Sequence, residues 1–298
     1  MLAITLAAVL WGTTGVAVIF LDDLTALSPI TIGFYRLLIA AAVLFASALI
    51  RRSAGALIRI TRQMPARVVL TGAGLAGYQA LYFVAVVAAG VSVATVVSLG
   101  VAPVVTTAWE AVRARRRPGA RTVATVAAAL RGLALISAAA PAQAAPQPRL
   151  GLGAAIGSGV VYAVSTLLSR DLSQRTDAMT LTTTTSVVGA AVLLPIAALH
   201  GLAFPVRADT VGLLAYTGVV TTALAYALFY AGLRTVPGSV AAVLTLLEPL
   251  TAALLAVAIL GEPLPALTIA GGVLLLAAVA ALYLRPKPRV YQAVSVLS

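Results

Sequence analysis

The chain has no cysteine, one histidine (His200) and one lysine (Lys287). Without cysteine it can form no disulfide, thiolate metal site or thiol nucleophile. Charge is also scarce, because only 9% of the 298 residues are charged, whereas roughly a quarter are charged in soluble domains. Hydrophobic residues make up 61%, and the mean hydropathy is +1.07. This composition indicates a protein built for lipid.

Acidic residues are the rarer of the two charge types, since eight Asp and Glu stand against 20 Lys and Arg. A basic excess can indicate nucleic-acid binding. Here the positive charges form short clusters between apolar runs and do not follow one face. We therefore expect no nucleic-acid partner, and we expect the lipid bilayer to be the surrounding of the chain.

Long apolar runs dominate the sequence. A membrane helix needs about 20 predominantly apolar residues, and ten such runs can be placed. They lie near residues 2–20, 28–50, 68–89, 91–110, 120–140, 152–169, 179–199, 210–232, 239–260 and 265–284. The first run lacks the basic region and the small-residue cleavage site of a signal peptide, so it is interpreted as a membrane helix.

Positive charges collect on one side of this ten-helix arrangement. If the N-terminus is cytoplasmic, the external segments hold only Arg149 and Arg207, and the cytoplasmic segments hold sixteen Lys and Arg. The sixteen are Arg51, Arg52, Arg59, Arg62, Arg67, Arg113, Arg115, Arg116, Arg117, Arg121, Arg170, Arg175, Arg234, Arg285, Lys287 and Arg289. The positive-inside rule then predicts a multi-pass protein of the cell inner (plasma) membrane with both termini in the cytoplasm.

The two halves of the chain resemble each other. At a constant shift of 146 residues, matching pairs are Thr71 and Thr217, Gly72 and Gly218, Phe83 and Phe229, Val97 and Val243, and Pro103 and Pro249. We predict a first five-helix repeat over residues 1–140, an external linker over 141–150, a second repeat over 151–285 and a cytoplasmic tail over 286–298.

Five is an odd number, so the second repeat must cross the membrane in the opposite sense to the first. The predicted fold is an all-α integral membrane protein with two inverted five-helix repeats around a central cavity. Inverted repeats are typical of secondary transporters, whose substrate site lies near the midplane between the repeats. A channel can use the same architecture.

Several segments carry a family resemblance. They are LAAVLWGTTGV near the N-terminus, FYRLLIAA in the second helix and SVAAVLTLLEPLTAALLAVAILGEPL at residues 239–264. With them the chain resembles the EamA-type branch of the drug/metabolite transporter superfamily over nearly its whole length. The first repeat departs from the pattern, because Ala102 replaces the Glu before Pro103 and RARRRP stands where Gly-Glu is expected.

The resemblance implies export of small metabolites through a central cavity without ATP. Within the superfamily, the aromatic residues of the third and eighth helices look most like the YddG-type exporters of aromatic amino acids. Amino acids are therefore the favoured substrates.

Away from their ends, the apolar runs contain three charged residues: Arg36, Arg131 and Glu248. A charge at the bilayer centre costs on the order of 3 kcal/mol, so such residues face protein or water. Glu248 is interpreted as lining the substrate path, where it binds a substrate ammonium or a proton. Alternatively it is a structural acid bonded to a neighbouring helix, for example to Arg131. Arg36 could snorkel to the surface, tie two helices together or bind a substrate carboxylate.

Prolines also lie inside the runs, and two of them stand at equivalent positions of the two halves. Pro249 cannot bond the Thr245 carbonyl, and Pro103 cannot bond the Leu99 carbonyl. We predict a helix kink at each proline, with the freed carbonyls facing a wet cavity and the kinked helices acting as gates.

Aromatic and polar side chains complete the predicted site. The expected substrate-binding residues are Trp11, Tyr78, Gln79, Tyr82, Ser98, Tyr162, Thr245 and Glu248. Plain packing is the alternative role for the aromatic ones. Tyr226 and Tyr230 could be interfacial belt or gate residues. Gly153 and Gly157 have GxxxG spacing, which predicts close helix packing.

These features favour a secondary exporter of small organic solutes, most of all aromatic or hydrophobic amino acids, working by alternating access. The alternatives are a drug or other metabolite exporter, or a channel. No cluster of residues suited to a metal, a thiol or a serine–lysine mechanism is found, so we expect no enzyme activity and no cofactor. We expect a monomer, driven either by proton coupling or by downhill efflux.

Overall fold

The computed structural model describes residues 1–139, 145–261 and 263–284. Within these ranges every regular element is a helix, and ten helices are long and apolar enough to cross a membrane. We number them 1 to 10: Leu2–Leu24, Pro29–Ile50, Pro65–Ala89, Val91–Ala114, Ala120–Ala138, Pro148–Ser173, Ala178–His200, Ala208–Leu233, Gly238–Leu260 and Ala266–Tyr283. All ten predicted runs are confirmed, with boundaries shifted by a few residues. Parts of the predicted linker (141–144) and the predicted tail (286–298) lie outside the described residues.

The interior of the bundle is rich in hydroxyl groups, and its outer surface is apolar. Helix 7 buries four consecutive threonines, Thr182–Thr185, and each donates its hydroxyl to the carbonyl four residues earlier. Large apolar side chains such as Leu49, Val87 and Leu276 are exposed. This distribution suits a lipid surrounding, because these four hydroxyls find partners within their own helix and the apolar side chains can contact acyl chains.

Three of the ten helices are interrupted. Helix 1 divides at Thr13 into Leu2–Gly12 and Thr14–Leu24. Helix 8 contains a π-helical segment, Val219–Leu224, between Ala208–Gly218 and Ala225–Leu233. Helix 9 breaks between Gly238–Leu244 and Leu247–Leu260. Such irregular backbone within a membrane occurs where protein or a water-filled space surrounds it.

A short helix that the hydropathy did not predict, Ala54–Gln63, connects helices 2 and 3. We call it the surface helix. It buries Leu57 and Ile60 and exposes Arg59 and Arg62, and it contacts helices 3 and 7. Ten residues are too few to span a bilayer. Its amphipathic pattern is that of a helix lying along the membrane interface.

Helix packing relates the two halves of the chain. In the first half of the chain, helices 3 and 4 pack on helix 6. In the second half, the equivalent helices 8 and 9 pack on helix 1. Helices 2 and 7 pack on each other, and so do helices 5 and 10. Exchanging the first five helices with the last five leaves these pairings unchanged. This is the contact pattern of two equivalent five-helix repeats.

The equivalence extends to single glycines. A Cβ at Gly72 of helix 3 would lie 2.9 Å from the Thr185 carbonyl oxygen of helix 7. A Cβ at Gly218 of helix 8 would lie 2.5 Å from the Ile39 side chain and 3.4 Å from the Arg36 carbonyl oxygen of helix 2. Helices in lipid associate mainly by close van der Waals packing, which small residues permit. Both crossings therefore depend on a missing Cβ.

Helix 6 makes its close contacts through glycines other than the expected pair, Gly153 and Gly157. A Cβ at Gly153 would meet nothing within 4 Å, and one at Gly157 would make an ordinary 3.5 Å contact with Leu81. The close packing predicted for this pair is therefore wrong. Gly151 and Gly159 approach their neighbours most closely: a Cβ at Gly151 would overlap the Ala89 side chain of helix 3, and one at Gly159 would lie 2.5 Å from the Ser98 carbonyl oxygen of helix 4. Residues four apart share a helix face, but spacing alone does not say which face meets a neighbour.

Gly72→Ala is expected to lower stability, because the new methyl group would overlap the Val188 side chain and the helix 7 backbone. Overpacking of this kind costs about 1–3 kcal/mol. Gly153→Ala is the matched control, since it adds the same methyl group in open space. Thermal unfolding in detergent should show a lower Tm for Gly72→Ala only. Equal Tm values for the two variants would contradict the close crossing.

Candidate functional site

An aromatic cluster occupies the middle of the bundle where helices 1, 3, 6 and 8 meet. The buried Trp11 ring lies 4.8 Å from Tyr226 and 5.2 Å from Phe229. Tyr78 lies 5.1 Å from Tyr162, and its hydroxyl is 3.0 Å from that of Tyr226. The predicted residues Trp11, Tyr78 and Tyr162 are thus brought together. The Trp11 indole N–H is buried and has no hydrogen-bond partner among the described residues.

The break in helix 9 positions Glu248. The Thr245 carbonyl, which Pro249 cannot bond, accepts instead from the Glu248 N–H at 3.0 Å. The expectation of an open carbonyl here is therefore wrong, because a three-residue turn satisfies it. Glu248 lies in the first turn of the second segment of helix 9. A carboxylate is favoured at that position by the partial positive charge of a helix N-terminus.

The Glu248 side chain is half-buried and receives no hydrogen bond from any described residue. It lies within electrostatic range of the side chains of Arg36, Tyr78, Tyr82 and Tyr162. Arg131 is exposed on the outer side of helix 5, so the alternative bond between Glu248 and Arg131 is not made. Because a carboxylate away from water is costly unless partnered, this group is suited to accept a bond from a bound solute.

Arg36 is directed into the protein. Its Nε donates to the Thr222 hydroxyl at 3.3 Å, and Thr222 donates in turn to the Thr217 carbonyl at 2.8 Å. Thr222 belongs to the π-helical segment of helix 8, so the arginine ties helix 2 to that segment and does not snorkel. π-Helical turns occur frequently at functional sites. The sequence contained no signal for the π-helical segment of helix 8 beyond the Thr221–Thr222 pair in an apolar run.

The other predicted residues differ in their roles. Ser98 is buried and donates to the Ala155 carbonyl at 3.1 Å, which ties helix 4 to helix 6. The Tyr82 hydroxyl lies 2.9 Å from that of Thr95, and Gln79 donates to the Leu75 carbonyl of its own helix. Thr245 donates to the Ala242 carbonyl at 3.0 Å and interacts with the Tyr162 hydroxyl. Tyr82 and Gln79 are half-buried beside the aromatic cluster.

The two prolines have different effects on their helices. Helix 4 continues without interruption through Pro103, where Thr106 donates its hydroxyl to the Ala102 carbonyl at 2.8 Å. Helix 9 is broken at residues 245–246, and Pro249 lies in the first turn of its second segment. Prolines at equivalent positions of the two halves are therefore accompanied by different backbones. Only in the broken helix 9 is the residue before the proline acidic.

Tyr226 and Tyr230 lie inside the protein. They are 5% and 2% exposed, so the interpretation as interfacial belt residues is wrong. The Tyr226 hydroxyl pairs with that of Tyr78, and the Tyr230 hydroxyl lies 3.4 Å from that of Thr185. Tyr226 belongs to the candidate site although the sequence did not place it there. Its signal was the pair of tyrosines four apart in helix 8, which matches the pair in helix 3.

One end of the bundle is closed by polar contacts that the sequence did not predict. We call it the arginine-rich end, because Arg51, Arg113, Arg170 and Arg234 lie at the helix termini there. Glu110 of helix 4 accepts from the backbone N–H and the hydroxyl of Ser239, at the start of helix 9. A carboxylate is well placed at a helix N-terminus. Glu110 therefore ties helix 4 to helix 9.

Binding groups of complementary character meet at the candidate site. Its polar groups are the Glu248 carboxylate, the Arg36 guanidinium, an indole N–H and tyrosine hydroxyls. Within the described ranges, no three His, Cys, Asp or Glu side chains form a group that could hold a metal ion. Ten membrane helices around such a mid-bundle polar site define a multi-pass integral membrane protein with the architecture of a transporter.

The family model for the EamA-like transporter family matches residues 1–138 and again residues 149–284. The chain belongs to the EamA-like transporter family, and it is a membrane transporter of that family. The expected superfamily is thereby confirmed.

Individual relatives agree with this placement, and a solved structure has the same fold. The chain is 29% identical over 252 residues to the uncharacterized transporter YwfM of Bacillus subtilis, covering 84% of this chain and 82% of the relative. It is 24% identical over 252 residues to the uncharacterized inner membrane transporter YicL of Salmonella typhimurium, covering 84% of each. A solved crystal structure matches the fold with a TM-score of 0.80 at 22% identity, covering 94% of this chain and 95% of the other.

Glu110→Gln should loosen the arginine-rich end, because the tie to helix 9 loses its charge. The absence of cysteine allows a single reporter: Ala242→Cys, at a position 1% exposed on helix 9. We expect a polar maleimide to label this reporter about tenfold faster when Glu110 is replaced. Tenfold corresponds to the free energy lost with one hydrogen bond to a charged group. Asp209→Asn, at the opposite end, is the control and should leave the rate unchanged. Equal rates in all three backgrounds would refute the tie.

Proposed function

We propose that this transporter exports small organic solutes, most of all amino acids with aromatic or hydrophobic side chains, by alternating access. The observation that carries the proposal is the half-buried Glu248 carboxylate, which no described residue bonds, beside Arg36 and the tyrosine cluster. A drug or another metabolite is the second substrate class, and the experiment below separates the two.

The site matches the chemistry of a zwitterionic amino acid. An ammonium group would bind Glu248, and a carboxylate would find donors in Arg36 and in the Trp11 indole N–H, which is otherwise unpartnered. The rings of Tyr78 and Tyr162 offer faces and edges to an aromatic side chain, an arrangement in which ring pairs are favoured by about 0.5–1.5 kcal/mol. The YddG-type resemblance supports the same substrate class.

We place the protein in the inner (plasma) membrane with the arginine-rich end and both termini in the cytoplasm, as the arginine asymmetry supports. The repeats are proposed to span residues 1–140 and 151–285 and to work as a monomer. The break in helix 9 and the proline of helix 4 would allow these helices to move as gates. The Glu110–Ser239 tie supports a conformation closed on the cytoplasmic side.

Counterflow in proteoliposomes tests the proposal. Vesicles loaded with an unlabelled aromatic amino acid should transiently accumulate the labelled form without a pH gradient, because exchange through alternating access needs no external energy. Accumulation of other metabolites only would shift the proposal to the second substrate class. Uptake that never exceeds equilibrium would indicate a channel. Repetition with an imposed proton gradient would separate coupled transport from downhill efflux.

Glu248→Gln is expected to lower counterflow at least about tenfold at subsaturating substrate, since one charge-assisted hydrogen bond is lost. The substitution preserves shape and removes only the charge. Asp22→Asn removes an exposed acid outside the site and should leave counterflow unchanged. Full activity of a folded Glu248→Gln variant would remove the carboxylate from substrate binding.

Pro249→Ala is expected to slow counterflow several-fold while substrate affinity changes little. The alanine N–H can bond the Thr245 carbonyl and so stiffen the break in helix 9. The control is Pro29→Ala, at the first turn of helix 2, where proline removes no helical bond. Unchanged rates for Pro249→Ala would refute a gating role for the break.

A further inference from the structure

A cavity with polar and charged residues in its lining lies away from the aromatic site, at the arginine-rich end between helices 2 and 7. Its volume is about 170 Å³, and it is lined by Leu44, Ser47, Ala48, Arg51, Ser53, Asp177, Met179, Thr180 and Thr183. A water molecule occupies about 30 Å³ of liquid volume, so the cavity has room for several waters or a small polar group.

The cavity contains one positive and one negative side chain that do not pair with each other. Arg51 and Asp177, both described residues, make no N–O contact within 4.0 Å. Arg51 donates through Nη1 only to the Met179 sulfur, a weak acceptor, at 3.2 Å. A guanidinium has five N–H donors. Most of its hydrogen-bonding capacity is therefore free for an anionic group in the cavity.

Asp177 caps helix 7 and retains acceptor capacity. It accepts from the Thr180 N–H at 2.9 Å and from the Thr180 hydroxyl at 2.6 Å. A carboxylate offers about four lone-pair sites, so about two remain. Partial burial acts to raise the pKa of the Asp177 carboxyl, but the hydrogen bonds from Thr180, together with the backbone N–H groups of Asp177 and Met179, outweigh it and leave this pKa below its usual range. The carboxylate is charged at neutral pH and can accept from an ammonium group.

The cavity lies at the level of lipid head groups. It lies where helix 2 ends at Ile50 and helix 7 begins at Ala178, beside the interfacial surface helix. One turn deeper, the exposed residues Val43 and Val187 follow Ser47 and Thr183 on the same faces of helices 2 and 7. Below the polar cavity, an apolar surface is thus available to acyl chains.

We propose that this cavity binds the head group of a zwitterionic phospholipid with a primary amine, phosphatidylethanolamine. The phosphate contacts Arg51 and the Ser47 hydroxyl, and the ammonium group contacts Asp177. The acyl chains lie against Val43 and Val187. The opposite charges of the cavity complement those of this head group, whereas an anionic lipid would leave Asp177 without a cation and would face its negative charge.

The test measures binding of single lipids with identical acyl chains to the purified protein, by native mass spectrometry and by the rise in Tm on lipid addition. Phosphatidylethanolamine should bind about fivefold more tightly than phosphatidylglycerol or phosphatidylcholine, the size expected of a partly exposed ion pair. Phosphatidylcholine is informative because its quaternary amine cannot donate a hydrogen bond. Equal affinity for the three lipids would overturn the proposal without any variant.

Two variants assign the groups. Asp177→Asn keeps a good helix cap, since Asn and Asp cap equally well, and it should remove the preference for phosphatidylethanolamine over phosphatidylglycerol. Arg51→Gln should weaken both lipids, while the control Arg52→Gln, at a neighbouring residue outside the cavity, should weaken neither. Equal effects of the two arginine variants would overturn the phosphate assignment. A Tm rise with soluble phosphoethanolamine equal to that with the lipid would indicate a metabolite site and refute the lipid.

Discussion

The close crossing of helices at glycine is the contact on which this structure depends. In lipid there is little hydrophobic force to bring apolar helices together, so association relies on close backbone approach and on polar contacts. Gly72 brings helix 3 against the Thr185 backbone, and Gly218 brings helix 8 against helix 2 beside Arg36. These crossings hold helices 3 and 8 at the centre, where their tyrosines meet. Without them Tyr78 and Tyr226 could not share a hydrogen bond.

The two halves of the chain differ in their backbones at the candidate site. Helix 3 is regular, and its partner helix 8 contains a π-helical segment that binds Arg36 through Thr222. Helix 4 is continuous at Ala102–Pro103, and its partner helix 9 breaks before Glu248–Pro249. A symmetrical pair of repeats would present equal groups on both sides. The two irregularities instead place one cation and one anion at a single mid-bundle site, which can orient a dipolar solute.

Much of the fold could be predicted because its signals are local. The ten apolar runs of membrane length followed from local hydropathy. The 146-residue shift paired Gly72 with Gly218, and these are the glycines of the two close crossings. Where a contact depended on helix rotation, prediction was less reliable. The GxxxG pair of helix 6 was predicted to pack closely against a neighbouring helix, but Gly153 faces outward. Its spacing was correct, but spacing does not fix the rotation of a helix about its axis.

The sequence by itself determined the ten membrane helices, the likeness of the two halves and the presence of Arg36 and Glu248 inside the bundle. The physical reason is that hydropathy and in-membrane charge are properties of single residues and short runs. Only the tertiary structure decided that no described residue donates a hydrogen bond to the Glu248 side chain, that Tyr226 completes the aromatic cluster and that Glu110 ties helix 4 to helix 9. These outcomes depend on how helices far apart in the chain rotate and approach, which no local pattern encodes.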